Sequence, residues 1–421
     1  MPAGGAVGLT SERAALRARG SRFELEPLFE VRLAPVPSQA GLAAREEVPV
    51  WEWHLARTTG APDTPNAWDV AHALNSQVGL AAAGGPPAIV EPDFVQEWPY
   101  ENPIARSDQG ALAAAAGDLC RFNDQLPELP HVDHRFAWHL DDDRTQLKLA
   151  RSQIGDAAAT VRIAHLDTGY DPRHATFPAH VREDLQFNFV DDQPKDDARD
   201  PAERRALENP GHGTGTLSLL AGRRFQFSGS GYHFNDFLGG APDAEIVPVR
   251  VGRSVVQLLT SNIAKGISYA VSLCNDEDTR IHVLSMSMGG LASAAWADAV
   301  NMAYDAGIVF VAAAGNNFSA GLFGFPTHNI VYPARFRRVI AACGVMASRR
   351  PYYGLPTGTM QGNWGPASKM ATAMAAYTPN TSWAEIGCQD VVDMEGSGTS
   401  AATPQVAAAA ALYFQRHGAT L

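Results

Sequence analysis

Three short segments carry residue types that can move a proton and attack a carbonyl group. The run Val161-Arg162-Ile163-Ala164-His165-Leu166-Asp167-Thr168-Gly169 is largely apolar until it ends on a carboxylate, and Gly169 permits a sharp exit. The run Asn209-Pro210-Gly211-His212-Gly213-Thr214 sets an imidazole between two glycines, so no adjacent side chain crowds the ring. In Gly396-Ser397-Gly398-Thr399-Ser400-Ala401, glycines bring backbone close to a hydroxyl at the opening of an Ala-rich helical run. The unpaired N–H groups of such an opening favour developing negative charge. Each segment alone has a plainer reading, as a turn Asp, a loop His or a Ser/Thr helix cap. A cap does not explain the paired glycines. Together, a carboxylate, an imidazole and a hydroxyl are the parts of a base-activated nucleophile.

The surrounding pattern supplies elements able to position them. From residue 131 onward, apolar runs alternate with helix-like segments: strands at 161–166, 246–251, 283–286, 308–313 and 339–345, and helices from 213, at 261–273, 294–306 and 399–416. Near-continuous apolar strands separated by helices imply a mainly parallel sheet covered on both faces, with ligands expected at the carboxyl ends of its strands. Pro404 is expected in the opening turn of the last helix, where a missing N–H removes no hydrogen bond. The texture before this region differs. Residues 21–96 read as a small α+β domain, with strand-like runs at 23–31 and 88–95 around a helix at 68–77. Asn66 is its expected N-cap, and Trp68, Ala71 and Leu74 lie on one face. Residues 97–130, rich in Pro, Ala, Gly and acidic residues, read as an exposed connector, and residues 1–20 as a disordered N-terminus.

The order Asp167, His212, Ser400 and the match at each motif resemble the subtilase family over most of residues 131–421. Ala312-Ala313-Ala314-Gly315-Asn316 is similar to the family's oxyanion-asparagine segment, and Leu284-Ser285-Met286-Ser287-Met288-Gly289-Gly290 to its substrate-binding strand. Tyr332-Pro333-Ala334 followed by Val339-Ile340-Ala341 also fits. The resemblance implies a three-layer α/β/α fold and a serine endopeptidase. It gives the nucleophile to Ser400, the base to His212, the orienting carboxylate to Asp167 and an oxyanion donor to Asn316. Substrate, a peptide or protein, would pair as an added strand with Ser287, Met288 and Gly289. Ala313, Ala314 and Gly315 would wall the P1 pocket, their small size leaving room for a sizeable apolar side chain. The first region is similar to subtilase propeptides at Trp68-Asp69-Val70-Ala71 and Ile89-Val90-Glu91-Pro92-Asp93-Phe94. This implies a ferredoxin-like domain that acts as intramolecular inhibitor of a zymogen, released by a cut between 97 and 135; a permanently attached accessory domain is the alternative.

The resemblance has departures. Gly215 stands where many relatives carry a second histidine. Thr176 stands where calcium-binding relatives often carry Asp, which argues against that site; a calcium site built from Asp191, Asp192 and Asp196 is less expected than a solvated acidic loop, and no cofactor is required. Only a short stretch follows Ser400, so the peptidase region reads as C-terminally abbreviated, with Leu412, Tyr413 and Phe414 expected to lack part of their cover. A noncatalytic protein of the same fold and a peptide ligase are the rival functions. The Ser-Glu-Asp carboxyl peptidases are set aside by Gly211-His212-Gly213.

Composition narrows the classes further. In 421 residues, 45% are hydrophobic and 19% charged, enough for a large core. A net charge of −12 and the absence of a Lys/Arg-rich run exclude nucleic-acid binding through diffuse positive potential. No stretch approaches the ~18 apolar residues of a membrane helix. Cys120, Cys274, Cys343 and Cys388 are widely spaced, which indicates no disulfide framework, and Cys343 reads as a buried free thiol. With no secretory signal before Arg19, these unpaired cysteines point to a cytoplasmic chain.

Overall fold

The computed structural model describes residues 15–18, 21–29, 53–58, 67–81, 89–93, 95–97, 120, 122, 135–154, 160–190, 193–202, 208–255, 257–317, 329–356 and 358–418. Its centre is a seven-stranded sheet. In space the strands run Met374–Tyr377, Ile340–Val345, Val309–Ala313, Val283–Met286, Arg162–Asp167, Glu245–Arg250 and Phe187–Asn188, each parallel to its neighbour. Successive side chains point to opposite faces. Ala164 and Leu166 therefore join one apolar cluster with Ile263, Ile267 and Trp296, while Ile163 joins another with Leu217, Leu220 and Val406. Helices Thr260–Ser272 and Ala294–Asp305 cover the first face, and His212–Ala221 and Gly398–His417 the second. The fold is a three-layer α/β/α sandwich, and burial on both faces is why its strands read as unbroken apolar runs.

The Ala-rich composition of the last helix reflects close approach to neighbouring elements. Ala401, Ala402, Ala407, Ala408 and Ala411 are all buried, and a Cβ added to Gly240 would lie 2.6 Å from that of Ala408. Two expectations for this helix need correction. Leu412 and Phe414 are buried in the second cluster, and only Tyr413 is exposed. Pro404 is the seventh residue of the helix, not part of its first turn. The N–H it lacks would have bonded to the carbonyl of Ser400, and that oxygen instead accepts the hydroxyl of Ser287 at 3.1 Å.

The cysteine expectation also changes. Cys274 and Cys343 are free and buried, and burial pushes the Cys343 thiol up to about 11. Cys120 and Cys388, however, form a disulfide with a Cα–Cα distance of 5.3 Å across a separation of 268 residues. Phe122 lies beside Phe136 and beside Phe227 and Tyr232 of an antiparallel hairpin (Arg224–Gly229 with Tyr232–Phe237) whose alternation is not evident in the sequence. Residues 120 and 122, read from the sequence as connector, are thus fastened to the α/β domain. The cysteine support for a cytoplasmic chain is removed. Among the described residues no helix is long and apolar enough to cross a membrane.

In the N-terminal region, strands Ala15–Ala18, Ser21–Pro27 and His54–Thr58 form an antiparallel sheet, accompanied by the helix Ala67–Ala81. Its first strand lies inside the span expected to be disordered. Ala71 and Leu74 are buried while Trp68 is half exposed, and Asn66 lies outside the described residues. Asn75 fastens the chain beyond the helix by exchanging hydrogen bonds with the backbone of Val90 at 2.8 and 2.7 Å. Residues 89–93 form no strand; Val95–Glu97 does, pairing antiparallel with Gln257–Leu259 of the α/β domain.

Candidate active site

The carboxyl ends of the central strands converge with two helix starts. Asp167 ends its strand and is buried; its Oδ1 lies 2.7 Å from Nδ1 of His212, the first residue of a helix capped by Gly211 at φ +85°. Both glycines of the Gly-His-Gly segment are needed. A Cβ on Gly213 would meet the Gly169 carbonyl oxygen at 2.0 Å, and one on Gly211 would strike Ile386. The remaining lone pairs of Asp167 receive the Thr168 N–H at 2.8 Å and the Thr216 hydroxyl at 3.0 Å. Burial alone would raise this carboxyl, but the charge and hydrogen bond of His212, with His165 and the Thr168 N–H, outweigh it and hold Asp167 below the ordinary carboxylate range. His165 sits behind, 2.9 Å from the Thr216 hydroxyl, and burial keeps its ring neutral more readily than in water. His165 lies within the first apolar run and Thr216 just beyond the Gly-His-Gly segment, but no local pattern signals that both support Asp167.

Ser400 is the third residue of its helix. Its hydroxyl donates to the carbonyl of Ser287 at 3.3 Å, and the Ser287 hydroxyl returns the bond noted above. His212 Nε2 is buried with no hydrogen-bond partner among the described residues. Asn316 is oriented by Thr399, whose N–H donates to Oδ1 at 2.8 Å and whose hydroxyl is 3.2 Å from the same atom. The amide nitrogen therefore occupies the opposite arm. Gly398, at φ +70°, permits the approach, since a Cβ there would lie 2.8 Å from Asn316 Nδ2. Thr399 also takes the Gly315 N–H at 3.0 Å, tying together the segments that carry Asn316 and Ser400. Thr399 acts here through a side chain that sequence reading left as a possible cap.

Ser287, Met288 and Gly289 extend from the strand Val283–Met286, and Met288 turns its side chain into the core. Ala313, Ala314 and Gly315 extend from the adjacent strand. Between these walls stands Val331: its Cγ atoms would meet a Cβ on Gly289 at 2.4 Å and one on Gly315 at 2.8 Å. Val331 thus packs against both glycines, beside the residues that the resemblance gives to the P1 pocket. Thr176 is buried with its hydroxyl 2.8 Å from His174 Nδ1, and no cluster of metal-ligating residues occurs among the described residues. Asp191 and Asp192 lie outside them.

The N-terminal region reaches this domain through carboxylates. The Asp93 carboxylate accepts the Ser261 N–H at 2.9 Å, and Glu91 accepts the N–H groups of Ala294 and Ala295 at 2.9 and 3.1 Å. Two helices that flank the sheet thus have their positive ends capped by acids from another part of the chain, each cap worth ~1 kcal/mol. Trp53 adds a hydrogen bond to Asp298 at 2.8 Å, and Leu28 joins the first apolar cluster. Glu91 and Asp93 stood in a quoted motif, but their partners lie about 170–200 residues away, as helix N-termini must be located before such a role can be seen.

Comparison with known proteins identifies the family. A family model described as the subtilase family matches residues 158–420. Subtilisin E of Bacillus subtilis (strain 168) and subtilisin NAT of Bacillus subtilis subsp. natto are each 28% identical over 292 residues, covering 69% of this chain. The chain spans 65% of the length of each of these relatives. Among solved structures, sphericase aligns with a TM-score of 0.46 and 22% identity, over 65% of this chain and 84% of that one. With more than half of its length matched by the family model, the chain belongs to the subtilase family.

Proposed function

We propose that the chain is a serine endopeptidase that hydrolyses peptide bonds through an acyl-enzyme and is made as an autoinhibited zymogen. The observation that carries the reading is the buried Asp167–His212 pair at 2.7 Å, on a chain whose third motif carries Ser400. In the cycle, Ser400 gives up its hydrogen bond to Ser287 by rotating about χ1 and delivers its proton to His212 Nε2 as it attacks the scissile carbonyl. His212 then protonates the leaving amine, and water repeats the sequence on the ester. Asp167, kept ionised, fixes the tautomer with Nδ1–H donating and stabilises the imidazolium. The tetrahedral oxyanion receives the Asn316 amide and the Ser400 N–H.

Peptide substrate lies extended between residues 287–289 and 257–259, as an added strand. Support for autoinhibition comes from the chain's own residues 95–97, which already pair with 257–259, and from the Glu91 and Asp93 caps that dock the N-terminal region beside them. A mixed peptide library incubated with the purified chain tests the function: new cleavage products that are absent with Ser400→Ala are expected, and identical digests from both proteins contradict it.

A further inference from the structure

We infer that Trp383 is a positioning residue for the His212 imidazole and that Gly215 is the seat which makes room for it. The inference rests on the proposed role of His212 and deepens it. Among the described residues the His212 ring is held by a single hydrogen bond, from Nδ1 to Asp167, and Nε2 has no partner. A ring fastened at one atom can still pivot about that bond, and a pivot moves Nε2 away from the serine it must serve. The second restraint is the indole of Trp383, whose centroid lies 5.7 Å from that of the imidazole at an interplanar angle of 65°, within the edge-to-face range.

The indole can reach this place only because two glycines line it. Gly215 is one turn along the helix from His212, and a Cβ there would lie 1.9 Å from Trp383 Cε2 and 2.2 Å from Nε1. On the other side, a Cβ on Gly396 would lie 3.1 Å from Cε3. The strand Thr381–Ala384 that carries Trp383 is itself anchored. Its Ala384 N–H points to the Ser218 hydroxyl at 3.4 Å, and that hydroxyl donates to the Gly215 carbonyl at 2.7 Å. Beyond the strand, the Gly387 N–H donates to Asp171 at 3.1 Å, and Cys388 is bonded to Cys120. The residue against His212 is thus a rigid aromatic on a fastened hairpin. The glycine that departs from the common family pattern and the tryptophan form a matched pair: volume removed from the helix is refilled by the indole.

Full-length protein, Trp383→Ala, Trp383→Phe and Gly215→Ala are compared for kcat and KM on a cleaved peptide, for melting temperature and, in a Ser400→Ala background, for the ring-proton NMR resonances of His212. The expected result is a kcat lower by about 10-fold or more in Trp383→Ala, with KM within about 2-fold, because misorientation acts on the transition state and not on ground-state binding. Trp383→Phe restores most of kcat, Gly215→Ala reproduces the loss by displacing the indole, and the His212 resonances shift when the indole is removed. An unchanged kcat overturns the inference, and a rise in KM alone overturns it by making Trp383 a substrate contact. Unchanged His212 resonances in Trp383→Ala overturn it independently of turnover. Absence of turnover from the unsubstituted protein counts against the peptidase reading, and the resonances still decide the contact.

Discussion

At the scale of single residues, the candidate site is a set of hydrogen bonds in which nearly every polar atom is committed. Thr399 shows how the commitments interlock. Its N–H and hydroxyl both face Asn316 Oδ1, so the amide donor is aimed by the residue that directly precedes Ser400. Asn316→Ala is therefore expected to lower kcat by about 10²–10³ with little change in KM, a range set by the corresponding donor in a subtilisin. A loss of KM with kcat retained would remove Asn316 from the oxyanion site. As candidates, Asp167, His212, Ser400 and Asn316 were legible in the sequence because each sits in a local motif with glycines at fixed offsets. Thr216, Thr399 and Trp383 were not, because their contacts are with residues 49, 83 and 171 positions away.

At the scale of elements, the hairpin of Thr381–Ala384 and Val392–Gly396 carries more than Trp383. Asp393 is buried within it, accepting the Glu395 N–H at 3.0 Å, and burial followed by the neighbouring Glu385 charge pushes its carboxyl up to about 8. Its folded value thus lies above its unfolded value near 4. Between the two, the folded protein holds a proton that the unfolded chain has released. The contribution to stability is full below about 4, declines as pH rises and is lost above about 8. Asp393→Asn keeps the shape without the charge, so its melting temperature should exceed that of the unsubstituted protein by at least a few degrees at pH 8 and converge with it near pH 4. A difference independent of pH would contradict this account. The hairpin itself went unseen in the sequence, since Val391-Val392-Asp393-Met394 does not alternate cleanly. The parallel strands were visible because burial on both faces leaves an uninterrupted apolar run.

At the scale of the whole molecule, the α/β domain and the N-terminal region meet through Glu91, Asp93 and the pairing of residues 95–97 with 257–259, and the disulfide fixes which part of the connector travels with which body. Composition and alternation made the three-layer domain readable, whereas a cysteine pair 268 residues apart has no local signature. The pair carries a covalent consequence. A cut before Cys120 frees the N-terminal region, while a cut after it leaves both pieces joined until the disulfide is reduced. The central claim, that Ser400 attacks peptide bonds and is restrained by the chain that precedes it, is tested most directly by the masses of purified full-length protein and Ser400→Ala followed over time, with and without reductant. The account predicts that the unsubstituted protein shortens by a cut between residues 97 and 119, giving separate pieces without reductant, while Ser400→Ala stays whole. The same intact mass in both proteins at every time would contradict it.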